Sequence, residues 1–159
     1  KGPLKLGSIT RVPMIWSDPS SRTAVRTDTM GSTIDLSASI LDRAGLAPYN
    51  GMQGRSFLES LSGNKPHRDE VLIEFNNQGP RMGMTTVPRV RTLRSKTWRL
   101  SVYAGEDWGE LYNLQKDPNE THNLWDEPNA REAKLAMSLR LVEHLAQQTD
   151  SSPRSNRLA

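Results

Sequence analysis

The sequence predicts an antiparallel sheet covered on one face by a single amphipathic helix, preceded by a loop-rich stretch with a helix of its own. Two segments alternate with period two and fit strands with one buried face: Val71, Ile73 and Phe75 against Leu72 and Glu74, and Trp98, Leu100 and Val102 against Thr97, Arg99, Ser101 and Tyr103. Near the end, Leu135, Leu139, Val142 and Leu145 recur at helical spacing. Composition limits the rest. Hydrophobic residues make up 35% of the 159, about 42% with glycine counted, below the ~45–50% usual for a globular domain. The length suits one domain, but its core must be small or shared.

The chain opens on Lys1-Gly2-Pro3 rather than Met, which reads as a start inside a loop and suggests a fragment. Val12-Pro13-Met14-Ile15-Trp16, ended by Ser17-Asp18-Pro19, reads as a short strand, with Pro13 favouring an edge or a strand start. A helix follows from Ser32 or Thr33 as cap, with Asp35 in the first turn, Ile34, Ala38 and Leu41 on one face, Gly45 to end it and Pro48 to forbid continuation. A glycine-rich link at 50–54 leads to Ser56, read as a cap before Phe57. The cluster 62–66 (SGNKP) marks a boundary, giving units 1–62 and 63–148 and a polar tail 149–159 expected to be mobile. In the second unit Ser95-Lys96 reads as a hairpin turn, 110–114 as a further strand, and Pro128 as the start of a helix running to Gln148.

Chemistry is sparse. The absence of cysteine removes disulfides, thiolate metal sites and a cysteine nucleophile. His67, His122 and His144 lie scattered, without the spacing of a metal site, and read as surface or loop residues. Gly54-Arg55-Ser56-Phe57-Leu58 lacks the closing glycine of a nucleophile elbow. Arg81, Arg89, Arg91, Arg94, Lys96 and Arg99 crowd the sheet region beside Trp98, either as an anion or nucleic-acid surface or, the favoured reading, as solvated charges that protect the sheet edge. The net charge of +3 is spread along the chain, and no apolar run is long enough to span a bilayer. Neither a membrane nor nucleic acid is expected as partner. Asn119-Glu120-Thr121 is formally a glycosylation acceptor but carries little weight.

Several segments in order resemble the C-terminal third of a type I sulfatase of the alkaline phosphatase superfamily. They are Lys1-Gly2-Pro3; Arg11-Val12-Pro13-Met14-Ile15-Trp16; Ile34-Asp35-Leu36 with Ile40-Leu41-Asp42-Arg43-Ala44-Gly45; Met52-Gln53-Gly54-Arg55-Ser56; and Gly109-Glu110-Leu111-Tyr112-Asn113-Leu114 running into Asp117-Pro118-Asn119-Glu120 and Asn123-Leu124. The resemblance implies an α/β fragment: the end of the large α/β domain, then a C-terminal α+β subdomain of antiparallel sheet with one packed helix. It implies sulfate ester hydrolysis in the full-length enzyme, at a calcium (Ca2+) site and through a formylglycine made from a C/S-x-P-x-R motif that this chain lacks. By resemblance alone, Lys1 is the catalytic residue that contacts the sulfate. No residue is assigned to a metal or cofactor. Leu6-Gly7 departs from the Tyr-Glu of many relatives, and the Asp117–Leu124 turn reads as structure that anchors the last helix.

The expectation is therefore a sulfatase-like C-terminal fragment that supports a catalytic domain and walls its substrate cleft, without turnover alone. Its partner would be the missing N-terminal catalytic domain, with a homo-oligomer possible through exposed apolar surface. The alternatives are a phosphonate or phosphate ester hydrolase fragment of the same superfamily, a basic anion- or nucleic-acid-binding module, and a structural interaction protein. The compartment stays open between exported and cytoplasmic.

Overall fold

The computed structural model describes residues 7–21, 23–63, 65–80, 84 and 86–148. Lys1 and the tail 149–159 lie outside them, as does Arg81. The chain divides into two compact units, Lys1–Ala24 with Glu70–His144, and Val25–Asp69 with Leu145–Ala159.

The first unit holds a short helix α1 (Gly7–Thr10) and a four-stranded antiparallel sheet in sequence order, β1 (Glu70–Asn76), β2 (Arg89–Ser95), β3 (Trp98–Tyr103) and β4 (Gly109–Asn113). Its register aligns Leu72 with Leu93, Leu93 with Leu100, and Leu100 with Leu111. One leucine row therefore crosses all four strands on one face, and Leu93, Leu100 and Leu111 are fully buried. Each such burial contributes about 2 kcal/mol. On this row lie Ala130, from the turn Pro128–Ala130, and Met137 and Leu141 of a 17-residue helix, Arg131–Gln147, with Leu72, Trp98, Val102, Leu124 and Trp125 around them. The sheet-plus-helix expectation is met.

Several details differ from the sequence reading. Leu72, not Val71, Ile73 and Phe75, joins the helix-side core, because the register places Leu72 on the leucine row. The C-terminal helix turns its leucine stripe away: Leu135, Leu139 and Val142 are exposed while Met137 and Leu141 bury. The buried stripe is hidden from a hydropathy reading because it also carries Lys134, which donates to the Trp125 carbonyl at 2.8 Å and lies over the indole ring, and His144, which meets Glu70 at 3.1 Å. The β2–β3 link is Lys96-Thr97 rather than Ser95-Lys96, since the Ser95 hydroxyl accepts from the Thr97 and Trp98 amides and holds the turn one residue later. The run 12–16 forms no strand, because no neighbouring strand pairs with it among the described residues.

In the second unit, α2 (Asp35–Arg43) ends as expected at Gly45, whose φ is +69° and whose amide bonds the Asp42 carbonyl at 3.0 Å. The expected cap is replaced. No side chain of Ser32 or Thr33 caps the helix; instead the Asp35 carboxylate reaches back to the Ser32 amide at 2.9 Å. Ser56 stands one residue before the N-cap of the short α3 (Leu58–Leu61), which is Phe57 and carries no side-chain capping bond; the Ser56 Oγ accepts from the Leu58 amide at 3.3 Å. The expected α2 face is only partly covered, with Ala38 buried and Ile34 exposed.

Candidate functional site

Two buried charge clusters organise the molecule, one in each unit. In the first unit, pairing across β2, β3 and β4 puts Arg94 opposite Arg99, Thr92 opposite Ser101, and Ser101 opposite Glu110 on the face away from the helix. Arg99 is fully buried. Its Nε donates to Glu120 Oε2 at 2.5 Å, and its Nη1 to Glu110 Oε2 at 2.9 Å and to Ser101 Oγ at 2.7 Å. The guanidinium lies over the Tyr112 ring, 4.5 Å from its centroid. Tyr103 donates its hydroxyl to the same Glu110 oxygen at 2.9 Å, and burial, reinforced by the Glu110 charge, pushes its hydroxyl well above the ordinary tyrosine range.

Glu120 closes this cluster from a loop. Its Oε1 accepts from Arg94 Nη1 and from the Gly7 backbone amide, each at 2.9 Å. The loop is built by Asp117, whose carboxylate takes the Thr121 and His122 amides at 2.7 and 2.8 Å. These backbone donors hold the Asp117 carboxyl below its ordinary range. Within the loop Glu120 adopts φ +57°, the one non-glycine residue at positive φ among those described. Asn123 then stitches the loop to β4: its Oδ1 accepts the Leu111 amide at 2.9 Å and its Nδ2 donates to the Gly109 carbonyl at 2.9 Å.

In the second unit Asp35 is fully buried and takes the Ser32 and Arg55 amides, His67 Nε2, and the Nε and Nη2 of Arg68, all at 2.5–2.9 Å. Burial alone would raise its pKa, but Arg68 and these further donors outweigh it and hold the carboxyl far below the usual range. An ionised carboxylate only accepts, so His67 Nε2 carries the proton of that contact.

These placements correct several sequence readings. Among the described residues Arg94 and Arg99 are spent on Glu110 and Glu120 inside the fold, and Arg91 pairs with Glu74 at 2.8 Å, so these three form no free basic surface. Nor are they all solvated edge charges, as Arg99 shows. His67 is no surface residue, with its side chain only 4% exposed against Asp35; His122 is exposed as expected. Lys1 lies outside the described residues. Glu120, Glu110 and Arg68 had no role assigned from the sequence, and Asp35 only that of a charge in a first helical turn; Asp35, Glu110 and Glu120 lie within the matched motifs, whereas nothing local marks Arg68.

Each buried carboxylate is thus matched by a guanidinium, an arrangement that builds structure. Among the described residues no group of three or more His, Asp or Glu side chains could hold a metal ion, so calcium does not fit onto them. No described helix is long and apolar enough to cross a membrane.

Comparison with known proteins supplies the family. Residues 6–148 match the family model described as N-sulphoglucosamine sulphohydrolase, C-terminal. Over 144 residues the chain is 28% identical to an N-acetylglucosamine-6-sulfatase from Bos taurus, with 72% of this chain and 26% of that protein covered. Among solved structures, a phosphonate monoester hydrolase of Agrobacterium radiobacter superposes with TM-score 0.68 at 25% identity, covering 78% of this chain and 26% of that one. A putative sulfatase from Bacteroides thetaiotaomicron superposes with TM-score 0.61 at 24% identity, covering 73% and 25%. The chain spans about a quarter of the length of each of these relatives. With nine-tenths of its residues matched by that model, the chain belongs to the family of C-terminal sulphohydrolase domains found in sulfatases of the alkaline phosphatase superfamily.

Proposed function

We propose that this chain is the C-terminal portion of a sulfatase-like hydrolase that acts on sulfate esters, and that its sheet and helix buttress a catalytic domain and wall one side of the substrate cleft. The observation that carries this reading is the match of residues 6–148 to a C-terminal sulphohydrolase model, in a chain that covers about a quarter of its curated relative. The paired state of the buried charges agrees with a supporting role. The nucleophile, a formylglycine, and the calcium ligands belong on this reading to the longer protein. The unit 1–62 would end the large domain, 63–148 would form the subdomain, and 149–159 would be a tail.

Lys1 is the one residue proposed to take part in the reaction. A compact ammonium beside the ester oxygens stabilises the charge that develops on them as the bond breaks. A second reading, hydrolysis of a phosphonate or phosphate ester, draws on the Agrobacterium radiobacter enzyme, whose TM-score of 0.68 exceeds the 0.61 of the sulfatase.

The test is hydrolysis of paired aryl sulfate and aryl phosphonate esters with and without calcium, by the 159-residue chain and by the longer protein that contains it. No turnover is expected from the chain alone, and preferential sulfate hydrolysis from the longer protein. Calcium-dependent turnover by the isolated chain would overturn the supporting role, and preference for the phosphonate would establish the second reading.

A further inference from the structure

We propose that, when this chain stands by itself, the open edge of β1 is the docking site for the apolar run 12–16 of a second copy. The two edges of the sheet are finished differently. At β4 the following loop takes up the outward main-chain groups. Asn123 Nδ2 donates to the Gly109 carbonyl and Asn123 Oδ1 accepts the Leu111 amide, both at 2.9 Å. The Leu124 amide bonds the Leu111 carbonyl and the Asp117 amide the Asn113 carbonyl, both at 2.8 Å.

β1, the other end strand, has no such cover. The Asn77 amide bonds the Pro88 carbonyl at 3.0 Å, one step beyond the opposed pair Asn76 and Arg89. Opposed residues in an antiparallel ladder alternate between bonded and non-bonded pairs. Val71, Ile73 and Phe75 therefore turn their amides and carbonyls to β2, while Leu72 and Glu74 turn theirs to the open side. Among the described residues no group bonds the outward amides and carbonyls of Leu72 and Glu74. Side chains mark the same edge. Val71, Ile73 and Phe75 are half-buried and lie outside the helix-side core, to which β1 contributes Leu72. They make an apolar row along the edge, on the sheet face away from the helix.

The same chain carries a segment that fits this edge. Residues 12–16 have a strand-like sequence but form no strand, and Ile15 is the most exposed of the large apolar residues described. Pro13 sets how the run can add. Proline has no amide proton, so Pro13 faces away from β1 and its neighbours Val12 and Met14 present their main-chain groups to it. In an antiparallel alignment inward-pointing residues oppose inward-pointing residues. Val12 and Met14 then lie level with members of the Leu72 and Glu74 set, and Pro13 and Ile15 level with the row of Val71, Ile73 and Phe75. The proline thus selects the alignment that lays Ile15 on the apolar row. Neither the run nor the row carries a charge, so no like charges are opposed. The run spans roughly 17 Å and β1 roughly 24 Å. A contact of that length falls in the class below about 1,200 Å2 that marks weak association, and it forms as concentration rises.

The test is light scattering of the 159-residue chain over a concentration series, with two variants that block opposite halves of the contact. Ile15→Glu charges the run. Glu74→Pro removes an outward amide from the edge, one that the pairing of β1 with β2 does not use. Each variant by itself should stay at 17.8 kDa. An equimolar mixture should regain the association, because one variant supplies an intact edge and the other an intact run. Association of Ile15→Glu by itself means that β1 edges pair with each other, and association of Glu74→Pro by itself means that runs meet runs. Either result overturns the proposal, as does a mixture that stays monomeric. Ile73→Lys puts a charge where Ile15 would lie and leaves the backbone groups in place, so it decides the question where proline disturbs the strand. It should be monomeric by itself and associate with Ile15→Glu, and failure on either count overturns the docking site.

Discussion

Asp35 shows how far a single side chain can depart from what its position in the sequence suggests. As the first residue of a helix it reads as a favourable charge beside a helix dipole, worth about 0.3–1 kcal/mol when exposed. In the fold it is buried, and two backbone amides, His67 and the fork of Arg68 converge on it. Replacing it with asparagine leaves Arg68 facing a neutral amide, so Asp35→Asn should destabilise the chain by about 3–5 kcal/mol at neutral pH, the range for breaking a buried ion pair. The folded carboxyl is held well below its unfolded value of about 3.9. Its contribution is therefore complete above that value and lost as pH falls below about 4 toward the folded pKa. Urea unfolding of both proteins from pH 7 to pH 2.5 checks this: the gap between them should be constant above about pH 5 and shrink at the acid end. A gap that stays constant through acid pH would contradict the assignment. The sequence could not show this hub, because Arg68 lies 33 positions from Asp35 and neither residue carries a local pattern.

The elements were legible to the extent that one periodicity governed them. Two-residue alternation located β1 and β3, and the Gly45 ending of α2 was visible because a left-handed residue is needed there. The C-terminal helix was legible as a helix but not in its orientation. Its richest apolar stripe faces outward, while the stripe that meets the leucine row includes Lys134 and His144, polar groups acceptable there because Trp125 and Glu70 receive them. Periodicity cannot weigh a satisfied lysine against an exposed leucine. The charge cluster was illegible for a related reason: Arg94, Arg99 and Glu110 read as the solvated face of an alternating sheet, and only Glu120, arriving from a loop, turns that face into an interior. The helix orientation yields a direct contrast between two leucines two positions apart. Leu141→Ala should cost about 2–5 kcal/mol because it empties part of the core, whereas Leu139, 59% exposed, should change stability by no more than about 0.5 kcal/mol when replaced by alanine. Thermal or urea unfolding of the two variants decides it, and equal effects would mean the helix is rotated from the orientation described.

Over the whole molecule, the low apolar content sits oddly with the amount of apolar surface left outside. Ile15 is 89% exposed, and Val12, Met14 and Val25 are also exposed in the stretch that the resemblance assigns to the end of a larger domain. Residues 12–16 carry a strand-like sequence yet form no strand among the described residues. Both facts fit the proposal that this stretch packs against the rest of a longer protein, the match covering about a quarter of the length of its relatives. An apolar run without its cover has two outlets in water: solvation at a cost of about 25 cal/mol per Å2, or burial against another copy. The second is favoured as concentration rises, so the isolated chain should self-associate, with mass-average weight by light scattering climbing above 17.8 kDa. Ile15→Glu places a charge in the middle of the run and should return the chain to a monomer without altering its unfolding midpoint, because that side chain contributes little to either core. A wild-type chain that stays monomeric at millimolar concentration would show instead that this stretch is adequately solvated, and that the exposed run places no demand on a partner.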